Sequence, residues 1–457
     1  MKPPPRLTTT ILFTLLVLPA STGVAQLRFP TPELDEPLPE TTTPEPREQL
    51  WQYSEYVDVA VLALALAAAA WFALKKRSRR GMAVVMLLSL LYFGFYRLGC
   101  VCAVGSVQNC ALSFGDAGYA AGWAVVAFFL LPLFAALLFG RVFCGGVCPL
   151  GAIQDIVAIK PLKVPRWLES GLSLLAVTYL GAAVVLAFSG SVFLICRFDP
   201  FVSIFRLAPV GKWMENVARG DLSGADWFVT GRTGLLVLGG AILLLGVFVA
   251  RPYCRFLCPY GVLLRPLSRL SRWHLTITPD ECVQCRLCEN SCPFGAILPS
   301  SPPDPGRSAG KVSLVVSLAV WPVLIAAGAG AGRLAGPVIS RADYSVRLAE
   351  HLRSGEARQL EDTQDMAEAF ASQPVDAEEV FAAARRTQAK FVWGAMVVGG
   401  FVGLVAGMRL VRWSVRRRRN DYTPDTGTCL SCGRCVETCP VEHLRRLGQD
   451  RALWEQA

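Results

Sequence analysis

Seven long apolar runs constrain the fold of this chain more than any other feature of its sequence. Each run is about long enough to cross a ~30 Å hydrocarbon core as a helix. Charged residues make up only 18% of the 457 residues, against ~25% in typical soluble domains. The sequence therefore predicts an all-α polytopic membrane protein with about seven transmembrane helices. The runs are approximately 57–74, 82–98, 119–139, 171–188, 233–249, 312–334 and 391–411.

Basic residues follow every odd-numbered run. Because the positive-inside rule places such loops in the cytoplasm, they predict a multi-pass protein of the bacterial inner membrane with a cytoplasmic C-terminus. The net charge of +10 then reflects membrane topology. We therefore expect the protein to contact the lipid bilayer and not to bind nucleic acid. The basic clusters are Lys75, Lys76, Arg77, Arg79 and Arg80, then Lys160, Lys163 and Arg166, then Arg251, Arg255, Arg265, Arg269 and Arg272, and finally Arg412 and Arg416–Arg419.

The N-terminal 55 residues are predicted to contribute no folded domain. Residues 1–25 have the basic start, short apolar core and small-residue cleavage site of a signal peptide; an uncleaved anchor is the alternative. Residues 26–55 are rich in Pro, Thr and Glu and are predicted to be periplasmic. Further along, we expect a five-helix membrane core at 56–272, transmembrane helices at 312–335 and 391–411, and a periplasmic helical segment at 336–390.

Eight of the sixteen cysteines follow the Cys-x2-Cys-x2-Cys-x3-Cys-Pro pattern of bacterial ferredoxins, in which the fourth cysteine binds the other cluster. Zinc sites do not usually have this spacing. The pattern predicts a small α+β ferredoxin-like module, split into halves at 273–305 and 412–457, with two [4Fe-4S] clusters. Two independent modules, each using its own four cysteines, are the alternative. The predicted metal ligands are Cys282, Cys285, Cys288 and Cys439 for cluster 1, and Cys429, Cys432, Cys435 and Cys292 for cluster 2.

An internal repeat places four further cysteines at the predicted inner membrane surface. The segment from Arg141 to Gly151 returns as the segment from Arg251 to Gly261, and each contains Cys-x3-Cys-Pro. Since residues four apart share a helix face, the two pairs could converge. A further cluster, a redox-active thiol pair and structural thiols are all open interpretations. The cysteines concerned are Cys144, Cys148, Cys254 and Cys258.

Four more cysteines are predicted near the opposite, outer surface. In an oxidising compartment they could form two disulfides or remain as buried thiols; a second metal site, or a site against a partner's flavin, is the alternative. Clusters on one face alone cannot carry an electron across ~30 Å of hydrocarbon. We therefore expect these cysteines, a quinone or the flavin of a periplasmic partner to bridge the gap. They are Cys100, Cys102, Cys110 and Cys196.

The sequence excludes haem and indicates no catalytic site. The only histidines, His274, His351 and His443, lie in polar segments, and Cys-x-x-Cys-His does not occur. No residue is assigned a catalytic role, because no Ser/His/Asp grouping, phosphate-binding loop or paired carboxylate stands out.

The helices, the two Arg-x2-Cys-x3-Cys-Pro repeats and the paired ferredoxin motifs resemble the NapH/NosR-type membrane-bound 4Fe-4S ferredoxin-like electron-transfer proteins, over about residues 57–439. The resemblance implies a subunit similar to a quinol dehydrogenase component. Electrons would pass between the quinone pool or a cytoplasmic donor and a periplasmic acceptor. Two other functions remain open: a copper or iron reductase that serves the assembly of a respiratory enzyme, and a redox-sensing membrane regulator.

The charge asymmetry yields a topology prediction. A reporter that is active only in the cytoplasm should work when fused after Ala457, because the basic clusters hold the preceding helix end inside. The same reporter inserted near Gly355 should be silent. Reporter activity measured in whole cells checks both fusions, and a periplasmic C-terminus would contradict the predicted orientation.

Overall fold

The computed structural model of the protein describes most of the chain from residue 48 to residue 447. The predicted signal peptide at 1–25 and Cys100 lie outside the described residues. The described residues are 48–97, 99, 102–116, 118–159, 161–162, 164–198, 204–205, 232–277, 282–301, 307–354, 377–415 and 419–447.

Helices cover all seven of the predicted apolar runs. In the described part of the chain, five helical stretches are long and apolar enough to cross a membrane. The third and fifth runs form shorter apolar helices, Trp123–Phe139 and Val237–Phe248. The mostly helical fold is therefore confirmed, and the described residues contain five candidate membrane-spanning helices. The five are Glu55–Lys75, Arg79–Tyr96, Trp167–Phe188, Val312–Ser340 and Glu378–Ser414.

The helices follow one another with short connections. The first two continue into π-helical turns, Trp71–Lys75 and Leu90–Tyr96, and a third π-helical turn is Phe143–Val147. In chain order the α-helices are α1 Glu48–Ala70, α2 Arg79–Ser89, α3 Ala103–Gly115, α4 Trp123–Phe139, α5 Pro149–Val157, α6 Arg166–Phe188, α7 Leu194–Phe198, α8 Arg232–Phe248, α9 Pro252–Phe256, α10 Pro259–Arg269, α11 Leu287–Ser291, α12 Arg307–Ser340, α13 Tyr344–Ser354, α14 Ala377–Ser414, α15 Arg434–Glu437 and α16 Pro440–Leu447.

Both Cys-x3-Cys-Pro repeats re-enter the helical bundle. After α4 the chain reverses at Gly140, whose φ of +74° suits a glycine, and after α8 it reverses at Arg251, with φ +51°. The Tyr260 hydroxyl then donates to the Phe129 carbonyl at 2.7 Å. Phe129 lies ten residues, or ~15 Å of helix, before the end of α4. The Tyr260 side chain of the second repeat therefore reaches a carbonyl about three helical turns before the end of α4.

The ferredoxin halves meet in a two-stranded antiparallel sheet. One strand, Ile297–Leu298, follows the first cysteine motif, and its partner, Thr423–Pro424, precedes the second. Ile297 pairs with Pro424 and Leu298 with Thr423. The sheet joins segments that are separated in sequence by α12 and α14 into one small module, which lies at the end of the bundle where α4 finishes. We call this end the ferredoxin end.

Two glycine rows allow α12 and α14 to pack backbone to backbone. Gly328, Gly332 and Gly336 recur every fourth residue on α12, and Gly399, Gly403 and Gly407 do so on α14. A Cβ at Gly332 would lie 2.0 Å from the Ala395 carbonyl oxygen. This is the small-residue interface by which membrane helices approach closely. Since α12 leaves the first ferredoxin half and α14 enters the second, the hairpin brings the two halves together.

A bulky side chain at this interface should destabilise the hairpin. Gly332→Ile forces the two backbones apart, and we expect overpacking to cost about 1–3 kcal/mol of unfolding free energy. Gly330→Ile is the matched control, because no atom lies within 4 Å of a Cβ added there. Chemical unfolding in detergent measures both variants, and equal loss in both would contradict the proposed interface.

Candidate functional site

The three leading cysteines of the first ferredoxin motif share a cavity with the last cysteine of the second. Cys439 lines this cavity together with Cys282, Cys285 and Cys288. Cys288 also lies within electrostatic range of each of the other three thiols. Four sulfurs from two distant segments therefore face one small apolar space.

The complementary set is arranged in the same way around the second motif. Cys435 lies within electrostatic range of Cys429, Cys432 and Cys292. Cys292, the fourth cysteine of the first motif, is buried and lies near Cys432. The last cysteine of each motif therefore lies beside the leading cysteines of the other motif.

The two motif loops have the same backbone conformation. Gln284 and Arg286 of the first motif have φ values of +52° and +62°. The corresponding residues of the second motif, Ser431 and Gly433, have +54° and +78°. Left-handed residues at matching positions curl each loop so that its three cysteines point to one side. Only one of the four residues is a glycine, so glycine spacing alone would not reveal this turn.

The donor set fits iron–sulfur clusters better than single metal ions. In the described residues, no three His, Cys, Asp or Glu side chains are close enough together to hold one ion, whereas a cluster spreads its thiolates farther apart. Burial raises the pKa of the Cys288 thiol to about 11 and that of the Cys429 thiol to about 12. Since the thiolate is the metal ligand, binding must supply the positive charge that removes these protons.

A buried carboxylate connects the ferredoxin module to the bundle. Asp155 on α5 accepts from Arg79 at 2.6 Å and pairs with Arg434 of the ferredoxin at 3.1 Å and with Arg251 at 3.4 Å. Burial alone would raise the pKa of Asp155, but the three guanidinium groups outweigh it and hold that pKa well below its usual range. Nothing in the sequence around Asp155 marks it, because its partners come from three distant segments.

The second motif loop sits directly on the first Cys-x3-Cys-Pro repeat. A Cβ at Gly145 would lie 2.1 Å from the Leu430 carbonyl oxygen, so this contact requires glycine. Arg141 donates to the Gly427 carbonyl at 3.4 Å. The ferredoxin cluster loop and the re-entrant repeat are therefore in direct contact.

The four repeat thiols converge inside the bundle. Cys148 lies within electrostatic range of Cys144, Cys254 and Cys258. The Phe143 and Tyr260 rings, next to the cysteines of opposite repeats, are 5.9 Å apart at their centroids. None of the four thiols is disulfide-bonded.

The other cysteines extend from these thiols toward the opposite end of the bundle. Cys102 lines one cavity together with Cys148, and Tyr260 lies within electrostatic range of Cys102 and Cys110. Cys102 and Cys148 therefore lie close together, although the sequence predicts them near opposite membrane surfaces. Cys110, one of the cysteines for which a disulfide was an open interpretation, is not disulfide-bonded.

The side chain of Gln108 positions Cys196. Its Oε1 accepts from the backbone N–H groups of Ile195 at 2.9 Å and Cys196 at 3.3 Å. A Cβ at Gly105 would lie 3.8 Å from Cys196 Sγ. Cys196 is exposed, whereas Cys144 of the first repeat is buried.

Comparison with known proteins agrees with this chemistry. Families described as 4Fe-4S binding domains match residues 121–166 and 232–278, which contain the two repeats, and residues 275–298, which contain the first ferredoxin motif. No solved structure matches the chain.

Several curated proteins are similar to the chain over part of their length. The putative electron transport protein YccM of Escherichia coli is 28% identical over 37% of this chain and 44% of its own length. The regulatory protein NosR of Stutzerimonas stutzeri is 27% identical over 49% of this chain and 30% of its own length. The ferredoxin-type protein NapH of Haemophilus influenzae is 29% identical over 37% of this chain and 54% of its own length. The chain thus spans less than two thirds of the length of each of these three relatives. The matches support iron–sulfur electron transfer in a membrane protein and confirm the predicted family resemblance.

Removing the charge of Asp155 should loosen the docked ferredoxin. Asp155→Asn leaves three arginines without their carboxylate, and breaking such a buried network costs about 3–5 kcal/mol. Because the pKa of Asp155 is lowered in the folded protein, its stabilisation is complete above the ordinary aspartate pKa of ~3.9 and declines below it.

Limited proteolysis and unfolding in detergent near neutral pH measure the loss. Asp116→Asn, at the opposite end of the bundle, is the control and should have little effect. A ferredoxin module that stays equally protected in Asp155→Asn would contradict the proposed role of this carboxylate.

Proposed function

We propose that this NapH/NosR-type 4Fe-4S ferredoxin-like protein carries electrons, one at a time, between a cytoplasmic donor or the quinone pool and a periplasmic acceptor. Two [4Fe-4S] clusters in the ferredoxin module would supply one-electron redox chemistry. The single observation that carries the proposal is the contact between the Cys429 motif loop and the first re-entrant repeat. That contact joins a soluble-type electron carrier to thiols inside a membrane bundle.

The ligand exchange between motifs supports the two-cluster assignment. Cys439 shares a cavity with the first motif, and Cys292 lies beside the second. We infer that Cys282, Cys285, Cys288 and Cys439 hold cluster 1. Cluster 2 is then held by Cys429, Cys432, Cys435 and Cys292. Independent modules would not place Cys439 in the cavity of the distant motif.

The basic residues around the ferredoxin end support a cytoplasmic orientation. Arg265 and Arg269 on α10 lie within electrostatic range of Arg409 and Arg412, respectively, near the end of α14. Burial, followed by the charges of Arg141 and Arg409, lowers the pKa of Arg265 to about 10. A concentration of positive charge at one end of a membrane bundle favours its retention in the cytoplasm.

The protein's own residues hold the module in position for electron exchange. Ser268 donates to the Thr426 carbonyl at 2.6 Å, Arg79 donates to the Cys432 carbonyl at 3.4 Å, and Arg77 pairs with Glu442 at 3.3 Å. These contacts surround the Cys429 loop and keep it against the bundle. The acceptor on the far side is a periplasmic redox protein, for which a flavin protein is one candidate, and a quinone can serve the membrane step.

If the two motifs exchange ligands, a substitution in one motif should damage the cluster held mainly by the other. Cys439→Ala should damage the cluster whose other ligands are Cys282, Cys285 and Cys288, although these residues are more than 150 positions away in sequence. EPR spectra of the reduced, anaerobically purified protein should lose the signal of that cluster and retain the other.

The reciprocal variant provides the matched control. Cys292→Ala should remove the signal that Cys439→Ala leaves intact. If each substitution instead abolished the signal assigned to its own motif, the module would consist of two independent sites. If purified protein contained stoichiometric zinc and almost no iron, electron transfer itself would be ruled out.

A further inference from the structure

We propose that Cys144, Cys148, Cys254 and Cys258 together hold a further iron–sulfur cluster, inside the bundle and directly beneath the ferredoxin module. The inference deepens the proposed function by adding the centre that exchanges electrons with the Cys429 motif. The family matches cover the two repeats separately, whereas the structure brings their four thiols to one place.

Side chains direct N–H donors at the first thiol of each repeat. Arg141 Nη2 lies 3.6 Å from Cys144 Sγ, and Gln154 Nε2 lies 3.6 Å from Cys254 Sγ. Gln154 is fully buried, and its Oε1 accepts from the Tyr253 backbone N–H at 3.2 Å. Its amide is therefore fixed with the N–H group toward the sulfur. Hydrogen bonds of this kind hold the ligands of clusters and tune their potentials.

Backbone N–H groups donate hydrogen bonds to the second thiol of each repeat. Cys148 is the residue before the first turn of α5, and Cys258 stands in the same place before α10. The Gly151 N–H donates to Cys148, and the Gly261 N–H donates to Cys258. Thiolates are stabilised at helix N-termini. All four sulfurs therefore have a donor, in two matching pairs.

The arginine of each repeat also lies beside a glycine of the other repeat. A Cβ at Gly151 would lie 3.3 Å from Arg251 Nη1, and a Cβ at Gly261 would lie 3.4 Å from Arg141 Nη2. Each arginine thus reaches across to the glycine of the other repeat. This reciprocity gives the site an approximate two-fold arrangement, in which each repeat supplies two ligands and one cation.

The charge of Arg141 favours thiolates over neutral thiols at this site. Arg141 is only 3% exposed and its Nε has no hydrogen-bond partner. Asp155 pairs with Arg251, but no carboxylate among the described residues pairs with Arg141. An isolated buried charge is very costly. Neutral thiols or disulfides in the repeats would leave only Cys429, which also lies within electrostatic range of Arg141, to offset this charge. The thiolates of a repeat cluster add negative charge at Cys144, whose sulfur is 3.6 Å from the guanidinium.

The proposed step transfers one electron without making or breaking a covalent bond. An electron leaves the centre held by the Cys429 motif, which is oxidised, and reduces the centre held by the repeats. The same step can run in reverse. Beyond it, Cys102 lines the cavity that also contains Cys148, on the side away from the ferredoxin.

Iron and sulfide analysis of the full-length protein, purified anaerobically in detergent, tests the proposal. The two ferredoxin clusters account for about eight irons. We expect an excess, reaching about twelve for a four-iron cluster or about ten for a two-iron cluster. Cys148→Ser and Cys258→Ser should each remove the excess and leave both ferredoxin EPR signals. Cys196→Ser, which changes an exposed thiol away from the repeats, should retain the full iron content.

A second measurement applies if the cysteine variants do not fold. Arg141→Met should lower the reduction potential of the extra centre, because a nearby cation stabilises its reduced form, and Arg141→Lys should restore most of the difference. An iron content of about eight in the wild type, or an excess that persists in both cysteine variants, would overturn the proposal. Either result would leave the two-cluster function intact, since the ferredoxin signals report on that function separately.

Discussion

The structure depends on the balance of buried charge where the ferredoxin module meets the membrane bundle. One carboxylate, Asp155, binds arginines from α2, from the second repeat and from the ferredoxin. A further arginine, Arg141, reaches the thiols of the repeats. Burying so many cations is stable only if negative charge accompanies them. The carboxylate supplies one such charge, and the proposed cluster thiolates supply the remainder.

This requirement links the position of the module to its chemistry. Arg434 can reach Asp155 only when the Cys429 motif loop is docked, and docking places Leu430 against Gly145 of the repeat. The ion pairs that hold the module therefore also set the path between its cluster loop and the membrane thiols. The α12–α14 hairpin has a related effect, because its glycine rows keep the two ferredoxin halves close together, as the proposed sharing of ligands requires.

Much of this arrangement could be predicted from sequence, for identifiable reasons. Ferredoxin motifs are specified by local spacing, so the eight cysteines could be picked out from the sequence, and their grouping by cluster stays a prediction. The helices were accessible from hydropathy. The re-entry of the repeats was not, because a hydropathy average does not record the reversals at Gly140 and Arg251. Asp155 was missed because its role depends on ion pairs with arginines that are distant in sequence and meet it only in the folded protein. The glycine rows of α12 and α14 were visible at four-residue spacing and could have been found.

Electron flow across a bilayer tests the account most directly. The protein would be reconstituted into liposomes that contain ferricyanide, and a membrane-impermeant reductant would be added to the face that carries the ferredoxin module. The account predicts that the enclosed ferricyanide is reduced by wild-type protein and that the rate falls strongly in Cys148→Ser, while the ferredoxin clusters are still reduced. Equal rates in the two proteins, or no transfer by the wild type, would contradict an electron path through the re-entrant repeats.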